Sequence, residues 1–277
     1  MPRSEKRVAL VTGSATGVGA ATCKKLSGLG WNVVVNYSKS RKEAEETAAA
    51  CRALGADVLI YQADVAKDAD CRRMVDEAVK RWGRLDALVS SAGYTKFVHH
   101  ADLEGMTSEE FLKTLSINLL GPYQVTRAAV PHLKASGKAA VVFVSSVAGL
   151  NGGGSSIAYS ASKAALNNMT KSLARVLGPE IRVNAVCPAF IEGRWLVEGM
   201  GQARYDAYRD NLIKTVTLQH ATTPDDVAEQ IYYFIDGASI VTGQVLTTDA
   251  GFTLGPVPSH SAAGSENRAE RQKEKAS

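Results

Sequence analysis

The sequence predicts an α/β fold: one doubly wound parallel sheet of about seven strands, with helices on both faces. Three observations predict it. Short β-rich runs alternate with amphipathic helical runs along most of the chain. The β-rich runs are apolar almost throughout, as strands covered on both faces must be. The first of them ends in a cluster of glycines that opens a helix.

The elements follow in order. "RVALVTG" is a strand ending in glycine, and "GVGAATCKKLSGLG" has helical spacing and stops at Gly30. "WNVVVNY" is the second strand, and "RKEAEETAAACRALG" is a helix closed by glycine. The strand "DVLIYQADV", the helix "DADCRRMVDEAVKRWG" and the strand "LDALVSSAG" come next. A helical region over 108–135, the strand "AAVVFVSS", a helix over 156–177 and the strand "IRVNAVCP" continue the alternation. "TTPDDVAEQIYYFI" opens as a helix, with Thr223 as N-cap, Pro224 at the first position and acids in the first turn. "GQVLTTDAG" supplies a last strand. Right-handed crossovers are expected between the parallel strands.

Composition narrows the function. Hydrophobic residues make up 45% of the 277 and charged residues 22%, ordinary for a globular protein. A net charge of +4, from 32 basic and 28 acidic residues, gives no case for nucleic acid or a membrane surface. No apolar run approaches the roughly 20 residues of a membrane span, and "MPRSEKRVALVTG" does not read as a signal peptide. Cys23, Cys51, Cys71 and Cys187 are scattered, as expected of reduced, buried thiols in a cytoplasmic protein. The five histidines, His99–His100 included, lack partners at metal-ligand spacing, so no metal is expected. Residues 1–255 are expected to form one Rossmann-type nucleotide-binding catalytic domain. Residues 256–277, polar and charged without apolar periodicity, are expected to be a disordered tail.

The glycine cluster is the first functional signal. In "TGSATGVGAA", Gly13, Gly17 and Gly19 stand at the first strand-to-helix junction. Glycine permits a tight turn and lets backbone N–H groups approach a pyrophosphate at the positive end of the helix. A turn without ligand is the plainer alternative. The second strand should end beside the adenosine ribose, where NAD sites commonly carry an acid. Here it ends in Asn36, Tyr37, Ser38, Lys39, Ser40 and Arg41, with no acid before Glu43. Hydroxyls and cations suit a 2′-phosphate, so NADP(H) is favoured over NAD(H), although Lys39 and Arg41 equally suit the solvated start of a helix.

The second signal is "YSASK". Tyr159 precedes Lys163 by four residues, so on a helix the phenol and ammonium share a face. A nearby cation lowers a phenol's pKa, which fits the phenol for proton exchange with a substrate oxygen. An ordinary surface pair is the alternative.

These pieces together resemble the short-chain dehydrogenase/reductase family over roughly residues 6–254, with 3-oxoacyl-carrier-protein reductase-like members nearest in pattern. "TGSATGVG" is similar to the family's TGxxxGxG loop, "ADV" at 63–65 to its adenine-contacting segment, "SSAG" at 90–93 to its NNAG, and "YSASK" to YxxxK. Ser146 lies 13 residues before Tyr159, the family's spacing. Asn118, Ser146, Tyr159 and Lys163 are, by this resemblance, the catalytic set: Ser146 holds the substrate oxygen, Lys163 bonds the nicotinamide ribose, and Asn118 anchors a water leading to Lys163. Cofactor contacts are implied at Gly13, Ser14, Thr16, Gly17, Val18, Gly19, Asn36, Tyr37, Ser38, Lys39, Asp64, Val65, Ala92, Gly93, Tyr159, Lys163, Pro188, Ala189 and Ile191. The chain departs from the family at Ser90–Ser91, where Asn is usual, and at Ala189 and Gly193, where Gly and Thr are usual.

The resemblance implies a small carbonyl or alcohol substrate, hydride transfer with Tyr159 as acid or base, and a homotetramer or homodimer packed on the Ala-rich face of 156–177. A non-catalytic NADP-binding regulator is the alternative. Trp195, Tyr205 and Tyr208 either line a substrate lid or pack a helix.

Overall fold

The computed structural model describes residues 4–255; the expected tail, 256–277, lies outside them. Seven parallel strands form one sheet in the order β3-β2-β1-β4-β5-β6-β7. They are β1 (Val8–Thr12), β2 (Asn32–Tyr37), β3 (Val58–Gln62), β4 (Ala87–Ser90), β5 (Ala139–Val144), β6 (Ile181–Pro188) and β7 (Val245–Thr248). Leu10 of β1 stands between Val34 of β2 and Leu88 of β4. The chain winds outward from β1 to β3, then returns to lay β4 on the other side of β1. The carboxyl ends of β1 and β4 therefore flank the switch point, where ligands bind in such sheets.

Alternation along each strand divides the core into two layers. Ala9, Val11, Val33, Val35, Val89 and Val142 face helices α1 (Gly17–Gly28), α2 (Arg41–Ala53) and, from the other end of the chain, α10 (Pro224–Tyr232). Val8, Leu10, Val34, Leu88, Val141 and Phe143 face α3 (Asp68–Trp82), α5 (Gly121–Ser136) and α7 (Ile157–Leu177). The strands read as continuous apolar runs because both faces are covered.

The helical region over 108–135 is more articulated than its periodicity suggests. Helix α4 (Ser108–Leu115) and α5 are joined by one π-turn, Ser116–Leu120, which holds Asn118. Such a turn inserts a residue into the helical ladder and re-aims a side chain. Helix α10 starts where expected: Thr223 and Asp226 form a reciprocal capping box, with Pro224 in the first turn. Beyond β6, α8 (Arg194–Met200) and α9 (Gln202–Thr215) leave the two main layers and pack around a separate small core of Phe190, Tyr205, Leu212, Val216 and Ala221. A short turn, α6 (Ala148–Asn151), connects β5 to α7. The four cysteines are free and buried. No helix among the described residues is long and apolar enough to cross a membrane.

Candidate active site

The glycine loop is built from β1 outward. Gly13 has φ +62°, and a Cβ there would lie 2.6 Å from the Cα of Ala92. A Cβ at Gly19 would lie 2.6 Å from the Gly13 carbonyl oxygen. Loop, helix and the turn after β4 are thus packed backbone on backbone, at distances no other residue allows. Thr16 caps α1 without a side-chain hydrogen bond, so the first N–H groups of the helix remain available to an anion. This arrangement fits a dinucleotide pyrophosphate, with Gly13, Thr16, Gly17 and Gly19 around it.

At several of the expected cofactor contacts the side chains brace the loop. Asn36 is buried; its Oδ1 accepts from Gly13 N at 3.0 Å, and its Nδ2 donates to the carbonyls of Tyr61 and Ala63. Ser14 is also buried, donating to the Val11 carbonyl and accepting from Asn36 N. Val18, Tyr37 and Val65 are buried apolar residues, and the Val65 carbonyl is held by Gln124 Nε2 at 2.8 Å. These positions fix the cradle's shape with side chains committed to the protein.

Ser38 and Lys39 are exposed just beyond β2, with Gln62 Nε2 holding the Ser38 carbonyl at 2.9 Å. Glu43, the nearest acid, is engaged by Arg194 at 2.8 Å, and that bond holds its carboxyl below the usual range. Arg41 pairs with Glu45. At the end of β3, Asp64 accepts from Ala66 N at 3.0 Å and shapes the turn into α3.

Thr12 went unnoticed in the sequence. Its Oγ1 accepts from the N–H groups of both Ser91 and Ala92, tying β1 to the turn after β4. Ser90, where the family has Asn, is buried with its hydroxyl unpaired. Thr12 and Asn118 hold this turn. Asn118 is fully buried, donating to the Tyr94 carbonyl at 2.8 Å and to Ser162 Oγ at 3.0 Å. Its Oδ1 accepts from Tyr94 N. It makes no direct bond to Lys163. The Tyr94 hydroxyl is in turn held by Glu110 and Lys113 of α4.

Ser146, Tyr159 and Lys163 come together at the carboxyl ends of β5 and β6. Ser146 accepts from Ala148 N and donates to the Pro188 carbonyl at 3.3 Å. Ser156 caps α7 by accepting from Tyr159 N, which fixes the first turn that carries the phenol. The Lys163 ammonium lies 5.6 Å from the Tyr159 ring centre and donates to the Val144 carbonyl at 2.8 Å.

The electrostatics run against the expectation for Tyr159. Burial pushes its phenol up to about 12, while Ser146 facing it pulls weakly the other way. Burial pushes Lys163 down to about 8. Desolvation is the largest influence on both groups, and the Lys163 ammonium is directed to a main-chain carbonyl. Burial thus favours the neutral form of the phenol.

Pro188 ends β6, and Ala189 and Ile191 follow along the same edge, Ile191 packing on the α1 layer. Trp195 of α8 reaches over this edge: its ring meets Tyr159 edge-on, with centres 6.5 Å apart, and lies against Gly93. Tyr205 and Tyr208 flank Phe190 at 5.5 and 5.6 Å. The aromatic segment thus does both things left open by the sequence: Tyr205 and Tyr208 pack, and Trp195 faces the site. No group of acidic, His and Cys side chains among the described residues could hold a metal ion.

The family model described as "Enoyl-(Acyl carrier protein) reductase" matches residues 13–253. A protein named as a ketoacyl reductase of the granaticin polyketide synthase of Streptomyces violaceoruber is 42% identical over 250 residues, 90% of this chain and 97% of the relative. The 3-oxoacyl-[acyl-carrier-protein] reductase FabG of Staphylococcus aureus is 33% identical over 248 residues, 89% of this chain and 98% of the relative. A solved structure from Burkholderia xenovorans, described as a short-chain dehydrogenase/reductase, superposes with a TM-score of 0.85 at 40% identity, covering 91% of this chain and all of that one. Members of this family bind nicotinamide dinucleotides, and the cradle after β1 fits one. By its matched residues and its fold, this chain is an oxidoreductase of the short-chain dehydrogenase/reductase family.

Proposed function

We propose that the chain is an NADPH-dependent reductase of a ketone or 3-oxoacyl-type carbonyl. The observation that carries this reading is the Tyr159 phenol facing the Ser146 hydroxyl, with the Lys163 ammonium 5.6 Å from its ring, at the edge that the glycine cradle opens onto. A bound nicotinamide supplies the hydride. Ser146 offers a hydroxyl to the carbonyl oxygen, and Tyr159 donates its proton there as charge builds. A phenol pushed up to about 12 is protonated at neutral pH, as a donor to the carbonyl oxygen must be. Lys163, pushed down to about 8, carries a proton it can readily give up, which suits it to restore the phenol. Asn118 positions the turn of Gly93 and Tyr94 against α7 through its bonds to Tyr94 and Ser162.

Two features support NADPH over NADH. Ser38 and Lys39 are exposed at the end of β2, and the next acid along the chain, Glu43, is taken up by Arg194. The substrate is a small molecule; the weak net charge gives no surface for nucleic acid. A homotetramer or homodimer, working in the cytoplasm, completes the reading. An exposed apolar groove of Leu112, Leu115, Leu119, Leu120, Tyr123 and Met169, between α4, α5 and α7, supports association there.

Loss of NADPH absorbance with a panel of ketones and acetoacetyl thioesters tests the activity. Tyr159→Phe should lower turnover by a factor on the order of 10² to 10⁴ while NADPH still binds. Near-normal turnover in that variant would refute the role of the phenol. Tight NADPH binding without turnover across the panel would favour a regulator instead.

A further inference from the structure

Trp195 is placed unlike the other two tryptophans. Trp31 and Trp82 are 2% and 3% exposed in the main core, whereas Trp195 is 43% exposed. Its indole nonetheless meets two elements of the proposed site. The ring is edge-on to Tyr159 at 6.5 Å between centres, and its Cη2 lies 3.2 Å from where a Cβ on Gly93 would stand. A carbonyl that accepts the Tyr159 proton must bring its substituents into the space beside this ring.

The element that carries the indole is weakly held. Helix α8 buries none of its residues. It is bounded by Gly193, with φ +143°, and Gly201, with φ +80°, two backbone states that glycine adopts freely. Its fastenings are few: the surface ion pair of Arg194 with Glu43 at 2.8 Å, the Phe97 ring packed over Gly199, and Leu196, Val197 and Met200 against the small core. An exposed ion pair contributes little. A large aromatic ring on a glycine-bounded helix can turn from the phenol at small cost and lie against whatever enters.

We infer that Trp195 determines substrate choice in this cleft, acting as a movable aromatic wall that favours ketones with a flat aromatic or conjugated ring beside the carbonyl. The inference rests on the ketone-reductase reading above. The indole offers a broad apolar face at low conformational cost, and such rings pack best on other flat rings. A short aliphatic 3-oxoacyl thioester lacks that contact and gains nothing from the wall.

The test compares 1-tetralone with acetoacetyl-N-acetylcysteamine as substrates for the full chain, Trp195→Phe and Trp195→Ala, with NADPH affinity measured for each. Trp195→Ala should lower the ratio of kcat/KM for the aryl ketone over the thioester at least tenfold, chiefly through KM of the aryl ketone. Trp195→Phe should keep most of the ratio. In the complex with NADP⁺, 1-tetralone should change the tryptophan emission of the native chain and leave that of Trp195→Phe unchanged. Turnover with the same ratio in all three proteins overturns the role of Trp195 and leaves the reductase reading standing. An emission that does not respond while 1-tetralone is being reduced overturns it equally. NADPH oxidation by neither substrate, nor by the wider ketone panel, refutes the reductase reading and the inference with it.

Discussion

The glycine loop after β1 and the segment after β6 face one cleft from two sides, and they are built in different ways. The loop is packed backbone against backbone, with Asn36, Ser14 and Thr12 buried beneath it and their polar groups committed to main chain. The segment after β6 has its own small core, and α8 packs on it with no fully buried residue. A cradle for a ligand of fixed shape is best made rigid, since a preformed site loses little entropy on binding. A wall for a substrate of variable shape gains from a low cost of opening. The difference fits the division proposed above, with cofactor binding on the rigid side and substrate choice on the loose one.

Breaking the rigid side should have the largest effect. Gly13→Val places a branched side chain at φ +62° against the Ala92 backbone. It is expected to cost about 4 kcal/mol or more in stability, adding left-handed strain to overpacking, and to abolish dinucleotide binding. Urea unfolding and NADPH titration measure both. A variant that folds and binds normally would show that the cradle is looser than its contacts imply.

The other side should fail locally. Phe190→Ala removes the ring between Tyr205 and Tyr208 and is expected to cost about 3 kcal/mol. Hydrogen exchange should quicken over 190–216 while amides of β1, β4 and β5 keep their protection. Uniform quickening would mean that the small core and the sheet unfold as one unit.

Lys163, on the floor between the two sides, is read through pH. Its pKa is held down at about 8, against 10.5 for an ordinary lysine. Below about pH 8 it is charged whether the chain is folded or not. Between pH 8 and about 10.5 the unfolded chain alone keeps the proton, so the contribution of this group to stability rises with pH, against an opposite contribution from the buried cysteines, whose thiols burial pushes up. The rise amounts to about 3 kcal/mol, since the side chain is 5% exposed. Lys163→Met should remove that slope. An unchanged slope between pH 8 and 10 would place its origin elsewhere.

The smallest effect is expected at the link between the sides. Arg194→Ala breaks the exposed pair with Glu43 and should change stability by less than about 1 kcal/mol. A larger loss would mean that α8 is fastened more firmly than its exposure suggests.

Much of the fold was legible in the sequence. Both layers of the sheet, the cap at Thr223, and the glycine loop follow from local rules: apolar runs mark covered strands, and glycine marks a backbone that must turn or touch. The spacing of Tyr159 and Lys163 placed both groups on one helix, because the helical repeat is fixed. What the sequence determined by itself is therefore whatever depends on neighbours along the chain.

Three things only the tertiary structure decided. Asn36 stands where a ribose contact was expected, yet it is enclosed by β1 and β3, so its bonds go to the protein. The phenol was expected to be lowered by its lysine; burial raised it instead, because desolvation depends on every element that covers a group. Trp195 comes to Tyr159 across 36 residues of chain through the placement of α8. No periodicity encodes such a contact, since it arises from packing between elements whose relative positions are set by the whole sheet.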